Sequence, residues 1–162
     1  MPFRKVNQWG ATKPAPGYGV DWGDQINAGL RGLWLLGEGG GNKASDLAGR
    51  SPGTLTNAPT WVQGKFGTCL NFAKASDQYV NLGNTSAVNI TGNLSISIWI
   101  NPASTPSAIG HNIFSKDKDS GGRSWDVDYN NSGGITALRF YINGGAGAVS
   151  YTHLTLPTNR EV

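Results

Sequence analysis

The sequence predicts an all-β fold, an antiparallel β-sandwich of the jelly-roll type. Three observations carry this. Short apolar–polar alternations recur along the chain, and no window sustains apolar residues at i, i+3, i+4 and i+7. Glycine supplies 24 of the 162 residues while only 14% of residues are charged, a composition that suits many turns between short strands. The strand-like runs follow one another without helical stretches between them, as in sandwiches and jelly rolls. The length fits one ordinary domain of about 100–200 residues and is enough to bury a core.

Residues 1–28 read as an N-terminal arm or linker. Pro14, Pro16, Gly17 and Gly19 cluster there, which favours irregular extended chain. Trp9, Tyr18 and Trp22 are candidates to dock on a partner or on the domain itself. The domain spans residues 29–147. Alternation begins at residues 32–36, a glycine loop follows at residues 37–41, and residues 42–53 read as polar turn. Further strands are expected at residues 68–72 and 78–82. In residues 68–72, Leu70 and Phe72 share one face and Cys69 the other. Cys69, the single cysteine, therefore reads as a small half-buried hydrophobe. The strongest strand signal is residues 94–100, where Leu94, Ile96, Ile98 and Ile100 share a face and Ser95, Ser97 and Trp99 the other. Asn101-Pro102 ends it, because proline cannot donate to a ladder. Residues 111–116, 123–129 and 135–142 complete the set, with residues 130–134 as a hairpin loop.

Charge excludes some partners. The net charge is +3, from 13 basic and 10 acidic residues, and the basic residues are scattered. A nucleic-acid interface calls for a clustered basic patch, so no nucleic-acid partner is expected. The longest apolar run, Leu33-Trp34-Leu35-Leu36, is far short of the ~20 residues of a membrane span, so no membrane insertion is expected. Arg4 and Lys5 are followed by Gly, Pro and Asn rather than an apolar stretch, so no signal peptide is visible.

The order of motifs resembles the laminin G-like, concanavalin A-like jelly-roll domains. Gly29-Leu30-Arg31-Gly32-Leu33-Trp34-Leu35-Leu36-Gly37-Glu38-Gly39-Gly40 is similar to their opening strand. Asp46-Leu47-Ala48-Gly49-Arg50-Ser51-Pro52-Gly53-Thr54-Leu55 is similar to the next loop, with Ala48 where Ser is usual. Pro59 through Phe72, Asp77-Gln78-Tyr79-Val80-Asn81-Leu82-Gly83 and residues 94–100 follow in the family's order. Ile113-Phe114-Ser115-Lys116 and Leu138-Arg139-Phe140-Tyr141-Ile142-Asn143-Gly144 resemble its later strands. The family's next strand, with Trp-x-His-Val, has no counterpart here. The arm, with Val20-Asp21-Trp22, resembles arms on such domains in phage and metagenomic proteins.

Residues 149–158, Val-Ser-Tyr-Thr-His-Leu-Thr-Leu-Pro-Thr, resemble a translated transposon-end sequencing adapter. On that reading residues 148–162 are a tail foreign to the domain, the jelly roll is incomplete at its C-terminus, and the natural protein continues beyond Gly147. The alternative is a genuine polar strand, since Ser-Tyr-Thr-His-Leu-Thr-Leu also alternates. Sequencing the source DNA across the Gly147 codon separates the two.

Three constellations carry chemistry. Asp126 and Asp128 are two apart on a strand and so share a face. Such a pair can approach glycosidase separations, about 5–5.5 Å for retention or about 6.5–9.5 Å for inversion. The glycosidases that the resemblance brings in use Glu and a third carboxylate, whereas Asn130 and Asn131 follow here, so the pair is expected to bind and not to catalyse. Asp46 and Asp77 lie in loops where related domains hold Ca²⁺, and Asn57, Asn81 or Asn84 add neutral oxygens for a hard cation. Asp46 equally suits a turn that bonds its own backbone. Among the tryptophans, Trp34 and Trp99 sit within strands and read as core, while Trp61 and Trp125 lie near loops and read as sugar platforms. The expected ligand-binding residues are thus Trp61, Trp125, Asp126 and Asp128, with Asp46 and Asp77 for metal. The expected role is a noncatalytic module that binds carbohydrate or a protein surface, on a phage virion or a bacterial cell surface. The alternatives are a structural virion or tail component without glycan affinity and, third, a glycoside hydrolase.

Overall fold

Short runs bounded by Gly, Asn and Pro become strands in two compact units, residues Met1–Leu94 and Ser95–Val162. The computed structural model describes residue 13 and residues 19–104, 111–117, 123–132, 135–142 and 149–151. All of its ladders are antiparallel. Two single-turn 3-10 segments, Gln25–Asn27 and Lys74–Ser76, are the only helical elements among the described residues, and no helix there is long and apolar enough to cross a membrane.

In the first unit, β1 (Lys43–Ala44), β2 (Gly53–Thr56) and β5 (Tyr79–Asn81) form one sheet with β2 central, and β3 (Thr60–Gly64) pairs with β4 (Gly67–Asn71) as a hairpin. Gly53 lets β5 come close to β2, since a Cβ there would lie 2.4 Å from Val80 Cγ1. Gly64 pairs with Gly67, so Lys65 and Phe66 make a two-residue turn. Buried apolar side chains here are Ala44, Leu55, Ala87 and Val88.

In the second unit, β6 (His111–Asp117), β7 (Arg123–Ser132), β8 (Ile135–Ile142) and β9 (Val149–Tyr151) make a four-stranded sheet in that order. The register gives it two unlike faces. Phe114, Trp125, Val127, Leu138 and Phe140 share one, and Ser115, Asp126, Asp128, Ala137, Arg139 and Tyr141 share the other. A register shift between Asn112 and Phe114 marks a bulge in β6.

Three expectations are corrected. Residues 94–100 form no strand, and Ile98, Trp99 and Ile100 are exposed, Trp99 by 80%. Alternation permits a strand but a ladder needs a partner, and none of the described residues pairs with this segment. Residues 32–36 contribute only an isolated bridge between Trp34 and Asp46. Residues 130–132, expected in a loop, extend β7, because Asn130, Asn131 and Ser132 stay in register with Ala137, Thr136 and Ile135. Strands β1, β2 and β3 form where the sequence pattern predicts turn or no strand. The backbone of residues 149–151, at the start of the adapter-like stretch, pairs with β8. Residues 152–162 lie outside the described residues.

Candidate binding site

Trp61 is half-buried on β3, and its indole Nε1 donates to the carbonyl of Gly41 at 3.0 Å. That bond fixes the ring plane while leaving part of the ring in solvent. Gly41 ends a loop, residues 36–41, that the structure holds at three points. Lys13 Nζ donates to Leu36 O at 3.2 Å, Ser45 N donates to Glu38 Oε1 at 2.6 Å, and Trp61 holds Gly41. The loop bends through left-handed backbone at Leu36 (φ 51), Gly39 (φ 75) and Gly41 (φ 77). The glycines adopt this freely, but Leu36 is strained there by about 1–2 kcal/mol, the kind of outlier that persists only where its surroundings impose it. Residues 37–41 are exposed, and four of the five lack a side chain. The surface thus sets a partly exposed aromatic face beside bare backbone, a combination that can stack an apolar ring face and bond polar groups at its edge.

The residues on β7 are placed differently. Trp125 is 3% exposed and packs its ring against Phe114 at a centroid distance of 4.9 Å. It is a core residue of the apolar face, which corrects its reading as a platform. Its position beside a loop in sequence is not a position at the surface. Asp126 and Asp128 do share a face, as spacing required, but they are 0% and 2% exposed. Both carboxylate oxygens of Asp128 accept from Arg139, Oδ1 from Nε at 2.9 Å and Oδ2 from Nη2 at 2.6 Å. The hydrogen bonds to Asp128 hold the Arg139 guanidinium above its already high pKa, and Asp126 adds its charge to the effect. The guanidinium also lies 5.2 Å from the Tyr141 ring centroid. Both carboxylates are thus buried in the sheet, where the sequence reading expected them at a ligand surface. Among the described residues, the buried Trp125 Nε1 and Asn130 Oδ1 have no hydrogen-bond partner.

Asp46 does not fit a cation. Its Oδ1 accepts from the backbone N–H of Leu33 and Ala48, and its Oδ2 from Arg50 and Ser51, at 2.8–2.9 Å. Burial alone pushes its carboxyl up, but these four donors outweigh it and hold the pKa below the ordinary Asp value. Four N–H dipoles pointing at the carboxylate occupy the lone pairs that a cation requires. Asp46 is thus the turn-former, and its reading as a metal ligand is corrected. Asp77 is exposed in a left-handed conformation (φ 46) behind the Lys74–Ser76 turn, and its backbone carbonyl accepts from Asn57 Nδ2 at 2.9 Å. Asn81 Oδ1 accepts from Gly83 N. Among the described residues, no three His, Cys, Asp or Glu side chains converge as a metal site would need.

Sequence reasoning missed Lys13 and Gln78. Gln78 Nε2 donates to Asn57 O and Ala58 O, both in left-handed residues, while its Oε1 accepts from Ala73 N. Both side chains act on carbonyls far away in sequence, which no local pattern signals. Trp22 of the arm is 52% exposed, with the Arg50 guanidinium 5.5 Å from its ring centroid.

Residues 74–160, more than half of the chain, match the laminin G-type family model of the concanavalin A-like lectin/glucanases superfamily. The chain belongs to this superfamily. A crystal structure of an S-layer domain-containing protein from Clostridium thermocellum is similar, with a TM-score of 0.60 at 17% identity, over 81% of this chain and 60% of that one. At that identity the likeness is one of fold, and this chain spans less than two thirds of that structure's length. No curated protein matches the sequence. Membership in the concanavalin A-like superfamily accords with the all-β antiparallel architecture. Its name spans lectins and glucanases, so the activity has to be argued from the site.

Proposed function

We propose that the chain is a noncatalytic binding module that takes neutral glycan chains at the Trp61 surface, displayed on a bacterial cell surface or a phage virion. The observation that carries this is the half-exposed Trp61, pinned through its indole N–H to Gly41 at the edge of an exposed glycine loop. A pinned aromatic loses little freedom on binding, and preorganisation of this kind raises affinity. The noncatalytic reading draws support from the burial of Asp126 and Asp128 and from the two Arg139 hydrogen bonds to Asp128, which disfavour this pair as one that flanks a glycosidic bond. The likeness in fold to an S-layer domain-containing protein supports a surface setting.

A glycan array probed with the wild type and with Trp61→Ala tests the reading. Binding of neutral oligosaccharides that Trp61→Ala abolishes would support it. A wild type that binds no glycan on the array would favour the structural or protein-binding alternative. Hydrolysis of any polysaccharide in a panel, lost in Asp126→Asn, would restore the hydrolase.

A further inference from the structure

We propose that Lys13 is the positioning residue of the Trp61 site: its ammonium staples the glycine loop to strand β4 and so sets the loop against the indole. The proposal rests on the reading of Trp61 as the platform. Lys13 is half-buried although it belongs to the arm. Its backbone N–H donates to Phe66 O at 3.0 Å, in the β3–β4 turn. Its Nζ donates to Leu36 O at 3.2 Å and also to Thr68 O on β4. One ammonium thus bridges the entrance of the loop and the hairpin that carries Trp61.

The loop lies over the Thr68 side chain, since a Cβ on Gly39 would stand 3.8 Å from Thr68 Cγ2. Trp61 pairs with Leu70 and Gln63 with Thr68, so Trp61 and Thr68 belong to the same face of the hairpin. Trp61 holds the far end of the loop at Gly41. Between these ends only Glu38 has a side chain to hold the loop, and it bonds Ser45 N. Glycine-rich chain has the largest conformational freedom to lose, so the loop keeps its course only through its pins. Leu36 is the clearest sign of this, because its left-handed backbone is imposed at the residue whose carbonyl Lys13 holds. A half-buried lysine gives up hydration, and here two main-chain carbonyls replace that water. Without the ammonium, Leu36 is free to return to ordinary backbone, and the Gly41 carbonyl drifts from the indole.

Lys13→Met keeps most of the stem and removes the donors, while Lys13→Arg keeps donors. Exchange of the Trp61 indole N–H, followed by NMR, reads the pin directly. In Lys13→Met the indole is expected to exchange about tenfold faster, the loss of one hydrogen bond. The backbone amides of Val62 and Cys69 keep their protection and the melting temperature barely moves. Affinity for a neutral hexasaccharide panel (cello-, manno-, malto- and xylohexaose) falls several-fold, about what loosening a preorganised contact removes. Lys13→Arg restores both. Unchanged indole exchange in Lys13→Met overturns the proposal, as does a uniform loss of protection across the hairpin, which would make Lys13 merely structural. If Trp61→Ala binds the panel as the wild type does, the platform reading itself fails, whatever the exchange shows.

Discussion

Trp61 and Trp125 put the same side chain into opposite settings. Trp61 stands on a two-stranded hairpin, keeps part of its ring in solvent and spends its N–H on a loop carbonyl. Trp125 stands on a four-stranded sheet, is 3% exposed, and among the described residues its N–H has no partner. The buried carboxylates differ in the same way between the two units. Asp46 is satisfied by four backbone N–H groups of its own neighbourhood, Asp128 by one guanidinium from the adjacent strand. The first unit uses polar side chains to shape loops, and the second uses them to tie strands. The proposed binding surface lies in the first, where the chain is held but still exposed.

Substitutions at five positions sharpen this contrast. The largest effect is expected for Trp125→Ala, which should cost about 4 kcal/mol in urea unfolding, as for other large aromatic truncations in a core. A loss below about 1 kcal/mol would return Trp125 to the surface. Asp46→Ala should cost on the order of 3 kcal/mol, since it strands four backbone donors in a part-buried turn. Because its folded pKa lies below the unfolded value, the contribution of Asp46 is full above about pH 3.9 and is lost as pH falls through the folded value. Asp46→Asn should therefore be less stable at neutral pH and show a shallower loss of stability on the acid side. An unchanged acid limb would assign that loss to other carboxylates.

Arg139→Met leaves Asp128 buried without its partner. It should cost about 2 kcal/mol, less than the ~3–5 kcal/mol of a fully buried pair because a quarter of the Arg139 side chain is exposed. The double variant Asp128→Leu/Arg139→Met should recover most of that loss, and a simple sum of the single losses would contradict a coupled pair. The smallest stability effect belongs to Trp61→Ala, under about 1 kcal/mol for a half-exposed residue, together with the largest effect on glycan binding.

Much of the sheet was legible in the sequence. The bounds of β8 and the starts of β6 and β7 follow from alternation between turn residues, and the shared face of Asp126 and Asp128 follows from the period of two. Burial was not legible. Asp, Asn and Trp near a presumed loop read as surface, yet the register with β8 carries β7 on to Ser132 and takes that loop away. Residues 94–100 show the converse, since their pattern is a good strand but strand formation needs a neighbour. The Asp46 turn was half visible, because Asp before Gly signals a local turn, while its bond to Leu33 comes from 13 residues away. Lys13 was invisible, as its carbonyl partners lie 23 and 55 residues distant.

The most direct test of the account is ¹⁹F NMR of the 5-fluorotryptophan-labelled protein titrated with neutral oligosaccharides. Trp61 and Trp125 are assigned by substituting each in turn with Phe. The Trp61 resonance is expected to move saturably with ligand while the Trp125 resonance stays still. A still Trp61 beside a moving Trp125 would contradict this and return the binding surface to the four-stranded sheet.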